Sequence, residues 1–379
     1  MVYGMRSCVL NFSRFPTLCS AVVRRVGLTA VGAYMDDFTT VDVTAGGQTG
    51  QEMTQLVVKA LGGQLSPGKH TGVREQCVML GVHVRMENML DKNEVTFEPR
   101  EETIAKILEA SRAILESGVC SPADASKLRG SAGWAASNTF ARAARLGLSA
   151  LKKRQYDKDL TNYALDAALL EGIGFLMNVL PQLKPRVTQV VGKRAPPMVI
   201  YSDASWPEDH PEEIEEAKVP PRVGWVLFSP GHQTEGHTIQ LTGTFVQELL
   251  PRKSQIFAAE SLAAILVPHL CGDALRDQDV IWFIDNEAAV SSMIRGTSRA
   301  EDVGHIAGAA QMMLLALGAR VWFEWVDTAS KPADGLSRDG ACDEWTSKQG
   351  WAITEWTEKE LISTLAACSR ASAHSLGSI

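Results

Sequence analysis

Hydrophobic and polar positions follow two different periods along this chain, and the change falls near its middle. Met5 to Arg25 has helical spacing with Pro16 as a break, and Thr49 to Ala60 has helical spacing closed by Gly62-Gly63. Between them, Ala30 to Val43 reads as two short strands around Met35-Asp36-Asp37, a hairpin with acids at its turn. Gln76 to Arg85 alternates and is rich in Val, which predicts a single strand. Glu101 to Glu116 places Ile104, Ile107, Leu108, Ile114 and Leu115 on one helical face, with Gly118 as the stop. Ser121-Pro122-Ala123-Asp124 reads as the start of another helix, and helical spacing continues through Asn178.

Lys184 to Pro197 breaks the pattern with three prolines and four basic residues and reads as a linker. Beyond it, strands are predicted at Val199–Ser202, Val223–Ser229, Thr238–Phe245, Val280–Ile284 and Arg320–Val326. Helices are predicted at Ser254–Leu270, Glu287–Arg295 and Gly304–Leu317, and the tail from Thr354 is helix-like to about Cys368. The class expected is α/β (α+β), with a mixed five-stranded sheet and helices in the second half.

Composition narrows the class. The chain has 379 residues, 45% hydrophobic and 21% charged, which suits two or three globular domains. No apolar run is long enough for a membrane span, so no membrane partner is expected. Seven scattered cysteines without a CxxC pair predict neither a zinc site nor a disulfide framework, and fit a reducing intracellular compartment. The net charge of -7 is divided unevenly: residues 1–200 carry 24 basic and 18 acidic side chains, residues 201–379 carry 13 and 26. A mildly basic first half could follow a phosphate backbone. The acidic run Glu208 to Glu216 reads as a solvated loop.

Four acids in the second half stand where chemistry is plausible. Asp203 follows the apolar strand, Glu260 sits among small and apolar neighbours in a helix, Asp285 ends a strand, and Asp334 lies in the loop Ser330-Lys331-Pro332-Ala333-Asp334. Any one alone is most simply a turn residue or a cap. Together, strand-end carboxylates and a helix carboxylate can converge at one sheet edge, repel one another, and call for a hard divalent cation, Mg²⁺ or Mn²⁺. Two such ions would support phosphodiester hydrolysis.

Residues 198–340 resemble the RNase H domain of retroelement polyproteins. That resemblance rests on the order of the four acids, on Ile284-Asp285-Asn286-Glu287-Ala288-Ala289, and on Ala329 to Arg338. The last is similar to the N-P-A-D-x-x-S-R segment of hepadnavirus-like and tyrosine-recombinase retrotransposon domains. The resemblance implies cleavage of RNA in an RNA–DNA hybrid. Two departures stand out. No His lies between Val326 and Asp334, and the acidic stretch Pro207 to Pro221 is longer than the family's usual turn.

Tyr34-Met35-Asp36-Asp37 matches the Y-x-D-D box of reverse transcriptases, and the surrounding segments are similar to the same family. These are Gly62 to Lys69, Val78 to Val84, and Leu128 to Ala136. The resemblance implies that Asp36 and Asp37 are metal ligands of a palm, with a primer–template as a further partner. The family's palm needs another Asp well upstream, and no acid precedes Asp36 here. The expectation is therefore that polymerisation is lost, or that a second polyprotein chain supplies the fingers. The domain reading is a partial palm at 1–100, a helical thumb or connection at 101–183, the linker at 184–197, an RNase H-like domain at 198–345, and a C-terminal helix and tail at 346–379.

Candidate substrate contacts are Ser205, Asn286, Ser330 and Arg338 beside the acids and Lys69 in the first half, with Lys152-Lys153-Arg154 and Lys193-Arg194 as basic steps. Trp206, Trp225, Trp282 and Trp325 serve either as core and surface aromatics or as stacking platforms. Two rival readings of the whole remain open at this level. One is an inactive relic or nucleic-acid-binding module. The other is a different nuclease or recombinase on the same fold.

Overall fold

In the computed structural model the described residues are 6–137, 142, 144–157, 162–190, 195–206, 220–241, 249–252 and 254–361. The chain forms two compact units, Met1–Val95 and Thr96–Ile379. The first holds α1 (Arg6–Val26), β1 (Ala30–Tyr34), β2 (Asp37–Val41), α2 (Thr49–Ala60), β3 (Gln76–Met79) and β4 (Val82–Arg85). Its core is small: Cys19, Val23, Val31, Val57 and Val58, flanked by Phe15, Val22, Phe38 and Met53.

Two expectations for this unit change. Pro16 lies inside α1 and does not end it. Proline removes one intrahelical N–H, but Cys19 and Val23 beyond it are fully buried, and that anchorage carries the helix through. Gln76–Arg85 is a hairpin, not one strand. Leu80 and Gly81 both have positive φ (52° and 79°) between β3 and β4, which pair antiparallel. A two-residue turn with positive φ at both positions matches strand twist. The alternation continues across it, which is why the sequence read as unbroken.

The second unit opens with α3 (Glu101–Ser117), α4 (Pro122–Ser137), α5 (Arg145–Tyr156) and α6 (Ala167–Val179). These bury Ile107, Leu128, Leu148, Leu151, Ile173 and Leu176 together. Ser121 begins α4 as expected. Its hydroxyl lies 3.2 Å from the Asp124 amide and 2.6 Å from the Asp124 carboxylate, a reciprocal cap. Arg186–Gln189 is a strand within the stretch read as a linker; Val and Thr there favour extended backbone despite the nearby prolines.

A six-stranded sheet follows, made of β5 (Met198–Ser205), β6 (Arg222–Phe228), β7 (Glu235–Gln240), β8 (Asp279–Ile284), β9 (Arg320–Trp325) and β10 (Ala352–Trp356). The spatial order is β9-β8-β5-β6-β7-β10. The β5–β6 and β6–β7 pairs are antiparallel, and the β8–β5, β8–β9 and β7–β10 pairs are parallel. The fold is mixed α/β, as expected. The sixth strand comes from the tail: Thr354 to Trp356 is strand, not helix, because Ile353 and Thr354 are β-branched and the β7 edge offers a ladder. The acidic run Glu208–Glu216, the basic pair Lys193-Arg194 and the end of the predicted strand Thr238–Phe245 lie outside the described residues.

α7 (Ile256–Leu270), α8 (Glu287–Arg295) and α9 (Glu301–Leu317) cover the sheet. The core there unites Ile200, Trp225, Ile239, Ala259, Ala263, Trp282, Ile284, Met293 and Leu314. The indole N–H of buried Trp282 donates to Ser202 Oγ at 2.9 Å, and Trp225 is fully enclosed. Among the described residues no helix is long and apolar enough to cross a membrane. At the start of α9 the buried Asp302 carboxylate accepts from Arg252 Nη2 at 2.6 Å and from the Leu250 and Val303 amides at 3.0 and 2.8 Å. Burial opposes ionisation there, but these donors outweigh it and hold the Asp302 pKa below the ordinary value.

Because the folded pKa of Asp302 lies below the unfolded one, its contribution is fully present above about pH 4 and disappears as pH falls through the folded value. Asp302→Asn is expected to destabilise the protein by roughly 1–3 kcal/mol at pH 7 and to flatten the acid limb of stability below about pH 4, read by urea melts across pH.

Candidate metal centre

β5 is a central strand with partners on both sides, so the Val199-Ile200-Tyr201 run carries Asp203 into a position only 3% exposed. The parallel register sets Ile284 beside Ser202. One residue further along each chain, Asp203 and Asp285 are therefore neighbours. α7 packs closely here, with Ala258, Ala259, Ala263 and Ala264 all fully buried. Close approach of that helix brings Glu260, itself 4% exposed, to the same corner. One oxygen from each of Asp203, Glu260 and Asp285 lies within 4.8 Å of the others.

The fourth expected acid is placed elsewhere. Asp334 opens α10 (Asp334–Arg338), is not part of this group, and pairs with Arg338 Nε at 3.1 Å on the surface. Its segment nevertheless builds the site. Lys331 Nζ lies 2.5 Å from Asp203 Oδ1 and 2.6 Å from Asp285 Oδ2, with its side chain 4% exposed. Ser337 Oγ donates to Asp203 Oδ2 at 2.6 Å, and Thr328 Oγ1 donates to Asp285 Oδ2 at 3.0 Å. Ser330, Asp334 and Arg338 of this segment are the candidates the sequence offers, whereas Thr328, Lys331 and Ser337 are not among them. A short polar run after a strand carries no periodicity, so only the quoted motif pointed to it.

α10 can lie this close because Gly224, paired with Asp203 in the ladder, has no side chain. A Cβ there would meet Ser337 N and Leu336 C at 2.6 and 2.7 Å. Thr238 Oγ1 donates to Leu336 O at 2.8 Å, and Leu336 packs with Val226 and Ala333.

The electrostatics follow from burial. Burial pushes the Glu260 carboxyl up to about 9, aided by the charges of Asp285 and Asp203, so it is protonated at neutral pH. Burial also raises Asp203, more than the charge and hydrogen bonds of Lys331 and Ser337 lower it. Asp285 goes the other way. Burial there is outweighed by the hydrogen bond and charge of Lys331 and by bonds with Glu260 and Thr328, and its pKa falls. Burial works against the Lys331 ammonium, yet Asp203 and Asp285 hold its pKa above the ordinary lysine value.

Glu260 Oε2 and Asp285 Oδ1 are buried and receive no hydrogen bond from an N–H or hydroxyl donor, the two carboxyl groups meeting each other instead. Buried polar atoms of this kind ordinarily find such a donor. An all-oxygen donor set of three buried carboxyl groups fits a hard divalent cation. The residues present thus suit the metal that the sequence implied.

Several expected substrate contacts are used internally. Ser205 donates to Ser337 O at 2.6 Å, and Asn286 Oδ1 caps α8 by accepting from the Ala288 and Ala289 amides. Arg154 is buried and bonds Ala164 O and Asp166, while Lys152 and Lys153 are exposed. Ser330 is exposed, its amide donating to Asp327 O at 2.9 Å. The Lys69 side chain lies outside the described residues. Trp325 is 47% exposed and its indole N–H donates to the Asp285 carbonyl at 2.9 Å. In the first unit, Tyr34 pairs with Asp37 across a hairpin turn, and both Asp36 and Asp37 are exposed. Among the described residues no third acid joins them in a metal-binding group.

No protein-family model and no curated protein matches the sequence. Solved structures that resemble it include a foamy viral protease–reverse transcriptase, termed dRH, in complex with double-stranded DNA. The two share 14% identity over 83% of this chain and 49% of that one, with a TM-score of 0.35. A foamy viral protease–reverse transcriptase in complex with RNA/DNA hybrid shares 12% identity over 84% and 38%, with a TM-score of 0.37. RNase H1 from the halophilic archaeon Halobacterium salinarum NRC-1 shares 20% identity over 39% and 98%, with a TM-score of 0.26. This chain spans about half the length of the first viral enzyme or less of the second. Scores this low transfer neither fold nor residue roles.

A neutral, buried Glu260 makes a prediction of its own. Its folded pKa exceeds the unfolded one, so its own contribution to metal-free stability is fully present below about pH 4.5 and declines as pH rises toward about 9. In EDTA, Glu260→Gln should flatten that decline and raise the thermal midpoint at pH 8. Gly224→Ala should cost roughly 1–3 kcal/mol by overpacking against α10, read in the same melts.

Proposed function

We propose that the second unit is a metal-dependent phosphodiesterase of the RNase H kind, cleaving the RNA strand of RNA–DNA hybrids. The observation that carries this reading is the convergence of Asp203, Glu260 and Asp285 in one buried corner. A structural role alone gives no reason to gather three carboxyl groups in one buried corner, since each is costly there. The hybrid as substrate comes from the motif resemblance at Asp285-Asn286 and Lys331 to Arg338. Nucleic acid is accordingly the partner, and the cation is Mg²⁺ or Mn²⁺.

When bound, a divalent cation would polarise the scissile phosphate and favour attack by water. The chain's own contribution is placement. Asp203 and Asp285 are fixed by strand register, Glu260 by helix packing, and Ser337 and Thr328 orient the two aspartates through their hydroxyls. Asp334 and Arg338, paired at the mouth of α10, are assigned to the substrate side of the site. The domain reading keeps 198–345 as the catalytic part and the helices of 101–183 as a connection. Asp36 and Asp37 are assigned no part in this reaction: both are exposed, and among the described residues no third acid joins them.

Cleavage of a labelled RNA–DNA hybrid in Mg²⁺ tests this. Wild-type chain should cleave, and Asp285→Asn should lose activity by roughly 100-fold or more, in line with the loss of one group that stabilises transition-state charge. Mg²⁺ should also raise the thermal midpoint of the wild type and not of Asp285→Asn. Equal cleavage by both chains would end the assignment, and a binding assay with no cleavage by either would favour a nucleic-acid-binding module.

A further inference from the structure

The site already contains a cation of its own. Lys331 Nζ sits between Asp203 Oδ1 and Asp285 Oδ2, at 2.5 and 2.6 Å, on a side chain that is 4% exposed. Lysine is almost never buried unless paired, and here one ammonium is paired with carboxylates from two different strands. A divalent ion bridging Asp203 and Asp285 would share those carboxylates with the ammonium. Of the other oxygens, Asp203 Oδ2 accepts from Ser337, while Glu260 Oε2 and Asp285 Oδ1 are buried and receive no N–H or hydroxyl donor. In the segment this loop resembles, the corresponding position is Asn, which brings neither the charge nor the reach.

We propose that Lys331 stands in for one of the two divalent cations such an acidic cluster would otherwise hold, so that the site takes a single Mg²⁺ or Mn²⁺ through Glu260 and Asp285. This rests on the nuclease reading for its chemistry, though not for its measurement. The ammonium neutralises the repulsion between the two aspartates and keeps them together without a bridging metal. Being a univalent point charge with three donors, it supplies positive potential and hydrogen bonds at that position, and the single divalent ion supplies the rest.

The test is calorimetric titration of the full chain with Mn²⁺, comparing wild type with Lys331→Met and Lys331→Gln, alongside hybrid cleavage. One Mn²⁺ per wild-type chain and two per variant chain is the expected result, with the variants' tightest site improved about tenfold. In EDTA the variants should melt below wild type, and Mn²⁺ should restore them. Two Mn²⁺ per wild-type chain, with variants unchanged, overturns the inference. So does a wild-type chain that binds none. If neither variant folds, the wild-type stoichiometry alone decides: one upholds, two overturns. The expected stoichiometries without any cleavage would uphold the role of Lys331 while defeating the nuclease reading.

Discussion

Three carboxyl groups share one buried corner of the sheet, and their mutual repulsion is the constraint around which the second unit is arranged. Each would cost several kcal/mol if ionised and unpaired at such a depth. The chain resolves this in three ways at once. Glu260 keeps its proton, Asp203 and Asp285 share the Lys331 ammonium, and hydroxyls from Ser337 and Thr328 take one further oxygen contact each. Glu260 Oε2 and Asp285 Oδ1, which receive no N–H or hydroxyl donor, are what a cation would use.

The rest of the architecture holds that corner in place. Parallel pairing of β8 with β5 aligns the two aspartates. α7 packs closely, with Ala258, Ala259, Ala263 and Ala264 buried, and delivers Glu260. Gly224 leaves room on β6 for α10, whose Ser337 and preceding Lys331 complete the polar shell. The sheet thus supplies two aspartates, the helix one glutamate and the late segment Lys331 and Ser337, the last 134 residues from Asp203, and a shift in any of the three would leave a buried charge without its partner.

The first unit gives a useful contrast. Asp36 and Asp37 sit at a hairpin tip, exposed, with Tyr34 and Asp37 closing the ladder. Solvation at such a tip removes any need for a counter-charge. The same residue type that is costly in the second unit is inexpensive in the first, and only the buried set forces other side chains into roles.

Read along the chain, local patterning was enough for the class and for most elements. Thr49–Ala60 and Glu287–Arg295 were legible because their apolar spacing and end signals agree. Asp203, Glu260 and Asp285 were legible as a set because each acid interrupts an otherwise apolar or small-residue segment. The hairpin at Leu80-Gly81 and the strand Ala352–Trp356 were not, since alternation alone does not reveal a turn and an edge strand takes its state from the ladder it joins. Lys331 was the least legible residue of all. A lysine in a polar loop looks solvated, and nothing within a few residues of it tells otherwise. Its burial is decided by where β5 and β8 end, because ion pairing is a matter of distance in space, and sequence neighbours do not report that distance.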